Sequence, residues 1–518
     1  MSEREPVSAP ALPDWLEPLF GAEQMRAIDR WAIERQAIPS LDLMERAGAG
    51  LTVHTDRLVP RGPIAIVCGK GNNGGDGLVA GRMLRGFGRK VRVLLLAAPG
   101  EYAGDAAENL RRLDGAHEPF DPAALEDAAA VVDAILGTGF QGKPHGAAKE
   151  AIEALALFEG PIVAADIASG VDASTGEAAG VSVAASATVT FAAAKPGHWI
   201  APGKQAAGER VVVDIGIPPG APVPADAGRL TGRVHALVPD RDAAGTKFSS
   251  GHVVVAGGSR GLTGAACLAA EAAMRAGAGY VTALVPASLE MIFEIRLLEV
   301  MTHGLGDANG ALTSDAVDDA LAATARAGAL VLGPGAGRSD AAFAFVRAVA
   351  ARADSPLLLD ADGLNAHAGR LDALATRQAP TVLTPHAGEL ARLLGTSSDE
   401  VGRCRLRSAR DAARRAQAIV VLKGDDTIIA RPDGFAAVND LSAPGLATAG
   451  TGDVLSGIIG THLAKGMDPF AAACAGVRRH AAAGRVAAEE HGAGGVIARD
   501  VIAALPRAMQ GEPAPPDE

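Results

Sequence analysis

The sequence predicts an α/β protein made of two consecutive domains, each on a mainly parallel sheet. Three observations point there. Short β-branched runs alternate with longer Ala/Leu/Arg-rich segments throughout the 518 residues. The segments between the runs have helical character and lengths suited to crossovers rather than hairpins. The pattern halts at "PPGAPVPADAGRLTGR", 218–233, dense in Pro, Gly and Ala, and then restarts. A chain of this length can bury two full cores.

In the first half the strands expected are "IAIVCG" (64–69), "KVRVLLLA" (90–97), "AAVVDAILG" (129–137), "PIVAADI" (161–167), "SATVTFAA" (186–193) and "ERVVVDIG" (209–216). In the second they are "HVVVAGGS" (252–259), "YVTALVP" (280–286), "ALVLGPG" (329–335), "PLLLDADGL" (356–364), "APTVLTP" (379–385) and "AIVVLKG" (418–424). A long Ala-rich helix is expected through Arg275, and a mostly helical section from about Asp453 to Met509. The boundaries are a flexible N-terminal segment 1–19, a first domain 20–220, a linker 221–231, a second domain 232–508 and a disordered tail 509–518.

Composition narrows the function. Aromatic residues are only 3% and no basic run occurs in a chain of net charge −12, which argues against nucleic-acid partners. The four Cys, at 68, 267, 404 and 474, form no Cys-x-x-Cys pair. They offer no zinc site and fit a reducing compartment. The acidic, Pro-rich N-terminus lacks a signal pattern, and no apolar run reaches about 20 residues. A cytoplasmic protein without membrane contact is expected.

"KGNNGGDG", 70–77, lies between a strand and a helix-like stretch, Leu78 to Phe87. Its glycines let a ligand approach the backbone, and helix N–H groups face an anion. It is neither a Walker A loop nor Gly-x-Gly-x-x-Gly. Asn and Asp here could be turn formers alone. Two further strand ends, "VVDAILGTGFQGK" with Asp133 and "VAADIASGVDASTG" with Asp166 and Ser169, bring oxygens to the same side of a parallel sheet, where ligands bind. Each Asp alone could be a helix cap; three such ends together favour a site.

In the second half, "GLATAGTGDVLSGIIGTHLAKG", 445–466, sets small residues before a helix that begins near Asp453. Its N–H groups make an anion hole for a phosphoryl group. Asp453 could cap the helix. Beside such a hole it could instead take a proton from an attacking hydroxyl.

These stretches, with "IPSLDLMERAG" (38–48) and "FAAAKPGHWIAPG" (191–203), resemble the N-terminal domain of the NAD(P)H-hydrate repair family over about 20–220. "VVAGGSRGLTGAACLAAEAAMRAGAGYVT", "LGPGAG", "LLLDADGLNA", "LTPHAGELARLLG" and "VLKGDDTIIA", in that order with 445–466, resemble the family's dehydratase over about 232–508. The resemblance implies a Rossmann-like three-layer αβα epimerase domain and a ribokinase-like α/β dehydratase domain. The epimerase would interconvert the R and S hydrates of NADH or NADPH at C6. The dehydratase would use ADP to convert the S hydrate to NAD(P)H, giving AMP and phosphate.

By that resemblance, Asn72, Asn73, Gly74, Gly75 and Asp76 contact the dinucleotide, as do Gly137, Thr138, Gly139, Phe140, Gln141, Gly142 and Lys143. Asp166 touches the substrate and moves its proton. Asn73, Asp133 and Ser169 would hold potassium. In the dehydratase, Ala265, Gly335, His386 and Asp453 contact the hydrate, with Asp453 as base. Lys423, Gly424, Asp425, Asp426, Thr427 and Gly452 contact ADP or AMP. Mg²⁺ is expected with the transferring phosphates, and a homo-oligomer is expected.

Bland readings stand beside these. Lys423 could be a strand-edge residue, His386 structural and Gly335 a turn. Asp360, Asp362 and Asn365 stay unassigned. The chain departs from the family at Ala168, usually Pro, and at Leu262, often Tyr. The rivals are a vitamin-precursor kinase of the hydroxymethylpyrimidine type, a non-catalytic nucleotide-sensing first half, and an NAD-dependent dehydrogenase, which lacks its Gly-x-Gly-x-x-Gly.

Overall fold

The computed structural model describes residues 12–113, 116–241, 244–247 and 249–509. The chain divides into two compact units, the first mainly Pro18–Gly228, the second mainly Arg229–Gly402 and the residues from Leu406 on, with Pro13–Glu17.

The first unit is a seven-stranded sheet in the order 118–119, 91–95, 64–68, 130–134, 162–165, 187–191, 209–213. Every pairing is parallel. The strands are apolar on both faces because helices cover both, as a parallel sheet requires. Ile64, Ile66 and Cys68 enter one core; Ala65 and Val67 enter the other. The order reverses direction between 64–68 and 130–134. At such a switch point the flanking loops part and leave a crevice outside the strand ends.

The helix beyond the first strand starts earlier than the sequence suggests. It spans Asn72–Gly86, so the glycines of "NNGGDG" lie inside its first turns rather than in a loop. Close approach explains them. A Cβ on Gly74 would lie 1.7 Å from the Gly69 carbonyl oxygen, and one on Gly77 would lie 2.6 Å from the Ala134 Cβ. The helix can press its N-terminus onto the sheet only without those side chains.

The second unit carries an eleven-stranded sheet, in the order 16–19, 227–230, 436–438, 428–430, 419–422, 381–383, 357–359, 329–332, 252–256, 280–286, 301–305. The strands from 419–422 to 301–305 pair in parallel; the 419–422, 428–430 and 436–438 meander is antiparallel. This sheet reverses between 329–332 and 252–256. The helices Thr263–Arg275 and Thr451–Ala464 pack on it, followed by Pro469–His491 and Ala498–Ala508.

Two boundary expectations are corrected. Leu16–Leu19, in the segment read as flexible, is a strand, with Leu16 and Leu19 buried. Ala227–Leu230, inside the stretch read as linker, is another, with Ala227 and Leu230 buried. Residues 1–11 and 510–518 lie outside the described residues. All four cysteines are free and buried. No described helix is long and apolar enough to cross a membrane.

Candidate active sites

A cavity of about 850 Å³ opens at the switch point of the first sheet. Its floor is the turn 69–71 with Asn72, Asn73 and Asp76 of the following helix. Gly137, Thr138, Gly139 and Phe140 form one wall, and Asp166 and Lys195 close the end. Met25, Leu43, Met44 and Phe191 add apolar surface. Polar and charged groups, among them Arg26, Asp29, Lys70 and His145, share the lining with this apolar surface, as a concave site for a charged small molecule requires.

Asp166 follows the strand Ile162–Ala165 in a left-handed conformation, φ +65°. Its carboxylate is held from three sides. The Lys195 Nζ donates to Oδ1 at 2.6 Å and the Thr190 hydroxyl donates to the same atom at 3.0 Å. The Thr138 hydroxyl and backbone N–H both donate to Oδ2. Burial pushes this carboxyl up, but the Lys195 ammonium and the Thr138 hydroxyl prevail and hold it well below the usual carboxylate range. The remaining Lys195 protons go to the Thr190 Oγ1 at 2.6 Å and the Phe191 carbonyl at 3.0 Å. All three ammonium donors are therefore used within the wall. The His198 ring Nε2 lies 2.9 Å from the Asp166 carbonyl oxygen.

Beneath the cavity, Asp133 and Ser169 are fully buried. The Ser169 hydroxyl donates to Asp133 Oδ1 at 2.6 Å and its N–H to Oδ2 at 2.8 Å. Burial pushes the Asp133 carboxyl up to about 6 against these bonds. Asn73 is also buried, and among the described residues neither polar atom of its amide has a hydrogen-bond partner. A Cβ on Gly137 would lie 3.2 Å from the Asn73 Oδ1, so the two expected stretches meet there. Gln141, Gly142 and Lys143 are exposed and do not line the cavity. Gly74 and Gly75 also lie off the lining; they serve the helix packing.

In the second unit, Gly450 turns with φ +91° and the helix Thr451–Ala464 begins, placing Asp453 in its first turn. Lys423, at the end of the strand Ile419–Leu422, donates to Asp360 Oδ1 at 2.9 Å and lies 3.8 Å from Glu389. The Ser456 hydroxyl takes the other Asp360 oxygen at 2.7 Å. Burial pushes the Asp453 carboxyl up to about 8. The nearby Asp360 charge adds to this, and Lys423 opposes it. Burial would lower the Lys423 ammonium, but Asp360 and Glu389 prevail and its pKa is raised. A Cβ on Gly452 would meet the Lys423 Nζ at 3.3 Å, so the expected nucleotide residues converge. The loop 424–427 is closed by the Thr427 hydroxyl donating to the Gly424 carbonyl at 2.7 Å.

Ala265 and Gly335 are neighbours: a Cβ on Gly335, φ +61°, would sit 3.2 Å from the Ala265 Cβ and 2.4 Å from the Leu262 carbonyl oxygen. His386 caps the helix Ala387–Leu394. Its Nδ1 accepts from the N–H groups of Gly388 at 3.0 Å and Glu389 at 3.4 Å. Glu389 returns the bond to the His386 N–H at 2.9 Å, completing a reciprocal cap. Half of the ring stays exposed, and burial with Lys423 nearby lowers its pKa. Of the unassigned trio, Asp360 belongs to the Lys423 pair. Asp362 accepts from Arg338, the Gly337 N–H and Asn365, and so braces the turns 337–338 and 362–365.

Sequence reasoning gave no role to Lys195, Thr190, Asp29, Glu389 or Asp360. Lys195 had a signal, the matched "FAAAKPG" segment. Glu389 stood in "LTPHAGEL", three residues after His386, the spacing of a capping box.

The comparisons with known proteins agree with this division. Residues 40–197 match the family described as YjeF-related protein N-terminus, and 253–507 match NAD(P)H-hydrate dehydratase. A bifunctional NAD(P)H-hydrate repair enzyme of Moorella thermoacetica is 41% identical over 511 residues, covering 95% of this chain and 96% of its own. One from Salinibacter ruber is 40% identical over 527 residues, with the same coverage. An ADP/ATP-dependent NAD(P)H-hydrate dehydratase from Bacillus subtilis, co-crystallised with ATP and Mg²⁺, is 31% identical, covers 54% of this chain and 96% of its own, and has a TM-score of 0.46. With identity of this order over nearly the whole length, the chain belongs to the family of bifunctional NAD(P)H-hydrate repair enzymes.

Proposed function

We propose that the first unit epimerises hydrated NADH and NADPH at C6, and that the second dehydrates the S hydrate at the expense of ADP. One observation carries the reading. Each unit sets an aspartate of displaced acidity within electrostatic reach of a lysine, Asp166 against the buried Lys195 and Asp453 near the part-buried Lys423, where its sheet order reverses or a helix N-terminus opens. Such displaced groups are what proton transfer at a ring carbinol demands.

In the first unit the ionised Asp166 takes the C6 hydroxyl proton, with Thr138, Thr190 and Lys195 fixing its position. Asn72 and Asp76 with the turn 137–140 hold the dinucleotide in the cavity. Asn73, Asp133 and Ser169 would hold potassium. The unpartnered Asn73 amide and the buried Asp133 carboxyl supply oxygens that suit a hard cation, whose charge would favour an anionic ligand above it.

In the second unit Asp453 takes the C6 hydroxyl proton of the S hydrate. The oxygen then attacks the terminal phosphoryl of ADP, held by Gly452 and the Lys423–Thr427 loop. Phosphate leaves more readily than hydroxide: the ring nitrogen lone pair expels it, and the resulting iminium loses a proton from C5 to restore the C5=C6 double bond of the dihydronicotinamide. Ala265, Gly335 and His386 would hold the hydrate. Among the described residues no cluster of three His, Cys, Asp or Glu forms a metal cage, so Mg²⁺ would rest mainly on the nucleotide phosphates and water.

The setting for this chemistry is the cytoplasm, where thiols stay reduced. A homo-oligomer is supported by an exposed apolar patch, Met291, Ile295 and Leu298, beside the edge strand Met301–Leu305. ADP-dependent gain of absorbance at 340 nm from hydrated NADH, with faster loss of the R epimer, tests both halves. ATP-dependent phosphorylation of an alcohol with no such gain would point to a vitamin-precursor kinase instead.

A further inference from the structure

Inverting C6 requires two proton-transfer groups, and Asp166 is one. C6 carries both the hydroxyl and the ring nitrogen, so the hydrate is a hemiaminal. It inverts when the N1–C6 bond opens. The hydroxyl loses its proton to a base, and its electron pair forms the C=O bond. The N1–C6 pair returns to nitrogen, which takes a proton from an acid. Rotation and the reverse sequence close the ring on the other face. One proton leaves oxygen and one reaches nitrogen, with no oxidant or reductant consumed.

Lys195 cannot be the acid, because its three protons are committed to Asp166, Thr190 and Phe191 within the wall. Thr138 and Thr190 donate to Asp166 and stay alcohols. Four other carboxyl groups line the cavity, Asp29, Asp76, Glu101 and Asp105. Glu101 is exposed and paired with Lys70, and Asp105 opens the helix Gly104–Arg112, whereas Asp29 and Asp76 lie within electrostatic reach of Asp166. Asp76 sits buried in the first turns of the helix Asn72–Gly86. Asp29 comes from another element, the helix Ala22–Glu34, and is half-buried at the lining. Its carboxyl has no hydrogen-bond or ion-pair partner among the described residues, yet lies within electrostatic reach of both Asp166 and Lys195.

We infer that Asp29 is the second catalytic residue of the epimerase, giving its proton to the ring nitrogen on opening and taking it back on closure. The inference rests on the epimerase reading above. An epimerisation runs equally in both directions, so this group must both give and take a proton near neutrality. Burial, opposed by Lys195, pushes Asp29 up to about 6. Burial and the Asp166 charge hold Asp76 well above the ordinary range, and its fixed place in the first turns of the helix suits a hydrogen bond to the dinucleotide.

The test measures epimerisation of R hydrate in the full-length protein by chiral separation, correcting for the spontaneous rate. Asp29→Asn should lower kcat by about 100-fold, the scale of a general acid, with KM changed less than threefold. Asp29→Ala should behave alike and regain part of its rate with added formate. Asp76→Asn should act mainly on KM. Retention of more than a third of kcat in both Asp29 variants overturns the inference, as does a loss confined to KM or a kcat loss seen only in Asp76→Asn. Wild-type protein that does not accelerate epimerisation overturns the epimerase reading itself, a result separate from any Asp29 outcome.

Discussion

Asp166 pairs with the buried Lys195 and Asp453 lies within electrostatic reach of the part-buried Lys423, yet their surroundings drive them apart, and opposite stability effects follow. Asp166 is held low, so in the folded state it adds stability that is fully present above the ordinary carboxylate range and is lost as the pH falls below that range and through its own lower pKa. Asp166→Asn at pH 7 removes it and strands the Lys195 ammonium, at a cost of about 3–5 kcal/mol. Asp453 is raised, so between about pH 4 and 8 the folded chain binds more protons than the unfolded one, and stability falls as the pH rises. Asp453→Asn should therefore abolish the 340 nm gain and yet raise the melting temperature at pH 8, with no difference at pH 3. Equal melting at pH 8 would contradict the burial argument. With Asp453 as the proposed base, acting ionised, kcat/KM of wild-type dehydration should rise about tenfold per unit up to roughly pH 8 and then level. Asp166 was legible from its strand-end position, while its partner lay 29 residues on and showed only as part of a matched segment. Asp29 was not legible, because an acid on an amphipathic helix reads as a surface residue.

Helix starts place the chemistry in both units. At Asn72–Gly86 the Gly74 approach to the Gly69 carbonyl admits no side chain, and backbone cannot yield as a flexible side chain would. Gly74→Ala should cost about 3 kcal/mol or more and show in urea melts of the first unit. At Ala387–Leu394, His386 caps the helix, and the hydrate-binding role proposed for it separates from the cap by substitution. Asparagine caps as well as most residues do. His386→Asn should melt within about 1 kcal/mol of wild type while raising KM for the hydrate; an unchanged KM would leave His386 as a cap alone. The twelve expected strands were readable because each carries a short apolar run, most of them rich in β-branched residues. Those not foreseen are short or sit at edges: Met301–Leu305 is half exposed, and Ala436–Val438 has three residues. Tertiary pairing rather than local pattern makes them strands.

For the whole molecule, the two activities are complementary. Only one epimer suits the dehydratase, so an equal mixture of R and S hydrates should go fully to NADH with wild-type protein. Asp166→Asn should stop near half and then creep at the spontaneous rate; full conversion at the wild-type pace would remove Asp166 from the reaction. The separation into two units was visible in the Pro/Gly-rich stretch. The reach of Pro13–Glu17 into the second unit was not, since four strand residues ahead of a helix carry too little pattern.

The four buried cysteines bear on how the protein ages and how it can be studied. Burial pushes the Cys267 thiol up to about 11 and the Cys68 and Cys474 thiols higher still. Thiolates are the form that peroxide attacks, and at these three positions they scarcely exist, while Cys404 is shielded by burial. An enzyme that mends damaged coenzyme should therefore keep working through an oxidative burst. A single cysteine placed on its surface would take a fluorophore at that position alone, with no native thiol removed first.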